Sequence, residues 1–553
     1  MQFDYRYAGS SRVATSPGHT GLAFAPDTLR APTYFVGHLG QHLPFREAIS
    51  ALHDVVVSDL RFTPKDRTEY EAWLQQQEAA FLADALARHA GVTERISATK
   101  AELNSLWRTE AAVMKPYWDA RKRFYDFVYK KYRDFLFVLD PVITVHPDEI
   151  FFECFSQDES SYGRLGCSYE VFEQIDEFAC GTTNIDYSAD LYNEFQKIRS
   201  YKSTQFKVDP SGFEVETEHE DTYKEVKIDL PDSWVRGFLQ VSSAMTLPAR
   251  RVDLHPMDVH NILFILKRRK EREGPRSMRY HLTPGAPVRI VFEPWNVELE
   301  CPRSIYRGDT PDEIRVWGRR RLMILERLIP VAKSFSVFLL GTGLPSFYLA
   351  DLGSMSFTLG LSGWTTNDWS RMGNFDLMAP RARVDADTQL RVVTALRETW
   401  QEAPQSLAQR LGLARSEVLG ALGAYTQAGR AMYDLNKGVY RLRELSREPL
   451  PMDRLRFANE REAAAERLLE AGAVDARLEH RRDGSTVHTG TVRDGGTVYT
   501  PRLVLDADQR IIEGSCTCSF FVRNKLMKGP CEHMIALRRA NERHLDLVSP
   551  LLN

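Results

Sequence analysis

Near its C-terminus the chain reads CTCSFFVRNKLMKGPCEH, in which Cys516 and Cys518 are followed, after a 12-residue spacer, by Cys531 and His533. Three thiolates and one imidazole are a complete tetrahedral donor set for Zn2+, a borderline-soft ion held by sulfur and nitrogen. A full set leaves no position for water or substrate, so the metal is expected to hold a small fold together and not to perform chemistry. Whatever surrounds these residues must bring the Cys-x-Cys pair and the Cys-x-His pair to one point.

The flanking sequence does this in a readable way. Upstream, HTGTVRDGGTVYTPRLVLDADQRIIEGSCTCSF alternates and carries turn signals at Asp494-Gly495-Gly496 and Asp506-Ala507-Asp508, which predicts strands. Side-chain direction repeats every second residue in extended chain, so Cys516 and Cys518 leave on the same side. After Gly529-Pro530, CEHMIALRRANERHL has helical spacing, with Met534, Ala536 and Leu537 as inward positions. Cys531 and His533 fall in the first turn of that helix, whose N-terminus favours the anionic thiolate of Cys531.

The Cys-x-Cys, spacer, Cys-x-His pattern resembles the SWIM zinc finger over roughly residues 485–542. By that resemblance Cys516, Cys518, Cys531 and His533 hold one structural zinc ion. The family occurs in bacterial proteins, chromatin-remodelling ATPases and transposase-related proteins, and the finger is regarded as a DNA- or protein-binding module. The implied partner is therefore DNA or another protein. No helicase or transposase motif set accompanies it. Arg523, Lys525, Lys528, Arg538 and Arg539 are candidate phosphate contacts; solvated surface charge is the plainer account of the same residues.

Residues 384–447 show three helical periods, ADTQLRVVTALRETW, PQSLAQRLGL and ARSEVLGALGAYTQAGR. Two short apolar runs follow, split by Asn436-Lys437-Gly438, a hairpin signal. This resembles the winged-helix family, whose third helix often enters the DNA major groove. The resemblance implies contacts from Arg415 on the third helix, Lys437 on the wing and Arg441 on its return strand. That face is not richly basic, and the same fold also serves protein contacts. Residues 452–472 read as a connecting helix with Leu455, Ala463, Leu468 and Leu469 inward.

At 553 residues the chain is too long for one ordinary core. Residues 1–139 read as largely helical. Over 121–133, basic and aromatic residues interleave, which suits either single-strand stacking or, on helical period, a buried aromatic stripe. Residues 140–380 read as mixed α+β, so the fold class is α+β and multidomain. Within them, VITVHPDEIFFECF is strand-like, and SFSVFLLGTGLPSFYLADLGSMSFTLGLSGW predicts buried strands or a packed hairpin. VWGRRRLMILERLIPVAKSF predicts an amphipathic helix, and a helix over 256–272 ends in a basic run. Cys154 reads as a core thiol, although steps of 13 residues between Cys154, Cys167 and Cys180 also admit a second metal site.

A net charge of −3 gives no global positive field, so any nucleic-acid surface is a local patch. No apolar run approaches a membrane span, the N-terminus does not read as a secretory signal, and seven sparse cysteines are not a disulfide scaffold. The expected compartment is the cytoplasm. HExxH, GxSxG and P-loop motifs are missing, and His255 and His260 would stand about 140° apart on a helix. The expected function is a zinc-containing nucleic-acid-associated or adaptor protein. Two alternatives stand beside it: a pure protein scaffold, and an enzyme with an unrecognised site in the N-terminal α+β region.

Overall fold

The computed structural model describes residues 12–16, 19–24, 34–58, 141–184, 203–208, 232–270, 276–363, 368–370, 374–380, 384–445 and 460–548, with isolated positions between. Residues 60–138 and 271–275 separate as a second compact unit. The helices expected over 64–138 lie outside the described residues, apart from isolated helical positions such as Glu102 and Ser105.

The predicted strand FFECF lies near the middle of an eight-stranded sheet. Its order is Arg250–Leu254, Ser334–Leu339, Ser346–Asp351, Met355–Leu361, Ser161–Ser168, Glu149–Phe155, Val142–Val145 and Gly181–Asn184. Every pairing is antiparallel. Period two sorts the central strands onto two unlike faces. Ile150, Phe152 and Cys154 face α1 (His42–Val57), where the Cys154 thiol donates to the Leu52 carbonyl at 3.7 Å. Burial pushes that thiol well above its ordinary pKa, so it is the core group the sequence implies. Glu149, Phe151, Glu153 and Phe155 face the other way, with Tyr162 and Arg164 across the ladder. The apolar end of this face is covered by α2 (Asp232–Met245), whose Trp234 and Phe238 rings lie 5.5 and 4.7 Å from Phe155.

A four-stranded sheet follows in the order Val297–Ile305, Pro287–Phe292, Ser277–Leu282, Asp312–Trp317, with α3 (Pro256–Arg268) beside it. That helix ends before the full basic run expected of it. A five-stranded sheet joins Arg12–Ser16, His19–Phe24, Ser203–Val208, Tyr34–Leu39 and Phe172–Ala179. The amphipathic helix expected after Trp317 is instead a 3-10 helix, Arg319–Leu328. Three residues per turn aim consecutive side chains in three directions. Arg319 donates to the Ser277 and Glu293 carbonyls, Arg320 to those of Leu266 and Arg269, and Arg321 to that of Ser160.

Residues 386–442 form α4 (Ala386–Thr399), a short strand Gln401–Glu402, α5 (Pro404–Leu411) and α6 (Arg415–Gln427). The hairpin Ala431–Asp434 and Val439–Leu442 closes the unit. Asp385 caps α4 by accepting from the Thr388 amide at 2.8 Å. Val392, Leu396, Leu407, Val418, Leu422 and Tyr440 make a separate core. Of the connecting helix expected over 452–472, α7 is described as Glu460–Glu470, and residues 446–459 lie outside the described set. Then come strands Val474–His480, Thr486–Asp494, Thr497–Tyr499, Arg502–Leu505 and Ile511–Ser515, as the turn signals imply. The chain continues into α8 (Ser519–Asn524) and α9 (Glu532–Val548).

The hairpin covers the charged end of the central sheet. Tyr440 and Leu442 point into the helical core, so the alternate Arg441 and Arg443 point out of it. Arg443 donates to both Glu153 carboxylate oxygens at 2.9 Å, and Tyr162 donates to the same group at 2.8 Å. Removing one partner of such a pair strands a buried charge. Arg443→Ala is expected to lose about 3–5 kcal/mol, seen as an earlier urea unfolding transition, and Arg443→Met with Glu153→Leu should recover most of it. An unchanged transition in Arg443→Ala would show that the pair does not hold this interface.

Candidate metal centre

Two short elements deliver the first ligand pair. Cys516 follows the strand Ile511–Ser515, and Cys518 caps α8, its sulfur accepting from the Phe521 amide at 3.4 Å. The helix in the spacer was not legible as such, because SFFVRN is too short to show a period. Its end is marked by Lys525 at φ 50°. Gly529 then turns the chain at φ 81°, where a Cβ would meet the Asn374 carbonyl oxygen at 2.8 Å. Cys531 immediately precedes α9, and His533 lies in its first turn.

The four ligand atoms all lie within 4.8 Å of one another, and the four residues are buried. Cys516 Sγ and His533 Nδ1 are 3.9 Å apart; Zn–S and Zn–N bonds near 2.3 and 2.0 Å imply a tetrahedral sulfur–nitrogen edge of about 3.5 Å. Hydrogen bonds from Cys516 and Cys531 hold the Cys518 thiol far below its ordinary pKa, and the matching bonds push Cys531 up. Burial opposes charge on His533, but Cys516, Cys518 and Glu532 lift its pKa to about 10. Protons shared this closely are what a divalent cation displaces. The cluster therefore fits a single structural zinc ion. Among the described residues it is the one group with such geometry; Cys154, Cys167 and Cys180 do not form a second.

The finger is not a separate globule. Leu503, Leu505, Ile511, Cys516, Cys518, Phe521, Cys531 and Met534 belong to the same contiguous core as the central sheet. Met378 accepts from the Ile511 amide at 3.0 Å, and a Cβ on Gly343 would lie 2.2 Å from Met527 Sδ. An appended module whose loss spares the remainder, the natural reading of a C-terminal finger, does not describe this packing.

The candidate phosphate contacts fall into three groups. Arg441 and Arg538 are buried. Arg441 binds Asp148, Glu149 and Asp434, and Arg538 binds Glu542 and the Gln509 carbonyl. Their burial corrects the expectation of surface contacts there. Arg415, Lys437 and Arg539 are ion-paired, to Asp508, to Asp148, and to Glu462 and Glu466 respectively. Arg523 and Lys525 are exposed, while Lys528 is half-buried, and its pKa is lowered by burial and by Arg461. Most of these carboxylates are remote in the sequence, Arg441 and Asp148 being 293 residues apart, which hid them from sequence reasoning; Glu542, four residues after Arg538, is the local one.

Residues 502–537 match the family described as SWIM zinc finger. The span is a small part of the chain and contains all four ligands. No curated protein matches the chain. Among solved structures it is similar to proliferating cellular nuclear antigen from Entamoeba histolytica, at 10% identity over 40% of this chain and 89% of that one, with a TM-score of 0.29. No described helix is long and apolar enough to cross a membrane. What residues 502–537 form is a SWIM-type zinc-coordinating cluster within an α+β, multidomain chain.

Two outcomes follow from this geometry. Cys518→Ser should bind far less than one zinc per chain by elemental analysis and lower the thermal midpoint of the central sheet as well as the finger, since structural zinc binding is folding free energy. Wild-type zinc content would refute the ligand assignment. The second concerns acid. Burial raises the pKa of Asp148 and Asp434, but hydrogen bonds from His146 and Arg441 in the first, and the nearby charges of Arg164 and Arg441 in the second, leave both below their ordinary values. A folded pKa below the unfolded value of about 3.9 means stabilisation fully present above that pH and lost progressively as pH falls from there toward the folded pKa. The thermal midpoint should drop as pH falls below about 4, and less steeply in Asp148→Asn; equal slopes would contradict this account.

Proposed function

We propose that this chain is a zinc-stabilised protein-interaction adaptor. In it, residues 384–447 are a winged helix serving as an internal buttress, and the SWIM finger over 485–542 presents the outward contact surface. The order helix, strand, helix, helix, strand, strand supports the winged-helix reading. One observation carries the functional choice: both elements such a fold would use on DNA are already engaged within the chain. Arg415, the first residue of α6, donates to both Asp508 oxygens at 2.8 and 3.2 Å. On the wing, Lys437 and Arg441 bind Asp148 at 2.7 Å. A duplex would have to displace these carboxylates before the third helix or wing could reach it.

A second reading rests on the spacer. Arg523 and Lys525 are exposed, and with Lys528 they make a small basic edge suited to phosphates. A cavity of about 880 Å3 between α2, α6 and α9 is the place an enzyme reading would look. Several of its polar groups bond one another: Gln427 to Ser243, Gln240 to Asp376 and Arg538 to Glu542. This favours a packed junction over a reaction site.

Fluorescence anisotropy of the zinc-loaded protein with random duplex and single-stranded DNA at two salt concentrations separates the readings. The adaptor reading expects no binding at micromolar protein. Binding that falls steeply with salt and disappears in Arg523→Ala with Lys525→Ala would overturn it in favour of nucleic-acid contact through the spacer.

A further inference from the structure

We infer that Asp494 and Tyr499 form an outer layer of the zinc centre, fixing the His533 ring so that Nδ1 faces the metal; this rests on the zinc reading of the cluster. Both residues come from the hairpin that precedes the finger. Asp494 ends the strand Thr486–Asp494, and Tyr499 ends Thr497–Tyr499, with Asp494 opposite Thr497 and Val492 opposite Tyr499. Gly495 and Gly496 make the two-residue turn at φ 54° and 80°, the left-handed pair that a tight hairpin of this twist requires. The register is thus set locally, and the turn's first residue is delivered to the metal ligand.

The imidazole is held on two sides. Asp494 Oδ2 lies 3.4 Å from His533 Nε2, and the Tyr499 ring stacks on the imidazole with centroids 4.1 Å apart and planes at 29°. Nδ1 faces Cys516 Sγ at 3.9 Å. A neutral imidazole carries one proton, so a metal on Nδ1 requires that proton on Nε2, where Asp494 accepts it. Glu532 is the other carboxylate near the ring, but it lies 3.7 Å from Nδ1, the nitrogen turned toward the sulfurs. The hairpin is also tied to the ligand loop, because the Thr500 amide donates to Thr517 Oγ1 at 3.3 Å. Asp494 is a positioning residue: half its side chain is exposed, and it contributes no ligand atom to the compact set.

Carboxylates that orient a metal-bound histidine are typically worth about 10–100-fold in metal affinity. The test uses the zinc-loaded full chain with Asp494→Ala, Asp494→Asn and Cys518→Ser, following zinc release to a chromogenic chelator. Asp494→Ala should retain zinc about 10–100-fold less well, and Asp494→Asn should fall between, since its carbonyl still accepts a hydrogen bond. Nitrogen-15 histidine spectra should show a ring with metal on Nδ1 and the proton on Nε2 in the wild type, weakened in Asp494→Ala. Circular dichroism confirms that the half-exposed turn substitution leaves the fold intact. Unchanged zinc retention in Asp494→Ala, or coordination through Nε2, overturns this inference while Cys518→Ser still loses its metal. Zinc retained by Cys518→Ser overturns the metal site itself, and the inference with it.

Discussion

The architecture depends on a set of buried charges between the central sheet and the hairpin 431–442. Arg164, Arg441 and Arg443, with Lys437 at the exposed rim, meet Asp148, Glu149, Glu153 and Asp434, so the set is neutral as a whole. Taking ions out of water costs several kcal/mol each, and only near-complete pairing offsets it. Such a set adds little net stability over apolar packing of the same volume. It does add selectivity of arrangement, because a hairpin shifted by one residue would exchange Arg441 and Arg443 for Tyr440 and Leu442. The arginines would then enter an apolar helical core, and Glu149 and Glu153 would be left buried alone.

The same interface explains why a finger that is small in sequence is not small in its connections. The helical unit is fixed to the sheet by the hairpin and to the zinc module by Arg415 and Asp508. The zinc module is fixed to the turn between strands Ser334–Leu339 and Ser346–Asp351 at Gly343, and to the segment 374–380 that follows the sheet at Asn374 and Met378. Each of the three parts therefore contacts both others. Metal binding, sheet packing and the helical unit are expected to rise and fall as one cooperative system.

What could be read from the sequence divides by range. The zinc ligands were legible because their spacing, the strand before them and the helix after them are all local. The hairpin turn at Asn436-Lys437-Gly438 and the strands 486–515 were legible for the same reason. The ion set was not: Arg441 and Arg443 sit in a short run, YRLREL, and their partners Asp148 and Glu153 precede them by about 290 residues. The Arg319–Leu328 segment was misread because its apolar spacing fits a helix of either pitch, and the carbonyls that draw its arginines apart belong to elements remote in the sequence, at Ser277, Leu266 and Ser160.

The turn at residues 506–510 is short and polar, the kind of connection that ordinarily absorbs insertions. Here Arg510 reaches the Thr246 carbonyl at the end of α2, Asp508 holds Arg415 of α6, and the Gln509 carbonyl accepts from Arg538 of α9. One loop tip is thus a three-way joint. The neighbouring turn at 481–485 bonds only within itself, through Arg481, Asp483 and Ser485. An added residue at the second turn would disturb none of these contacts. At the first, one added residue would have to break contacts with three helices at once, which makes a surface loop as fixed in length as a buried strand.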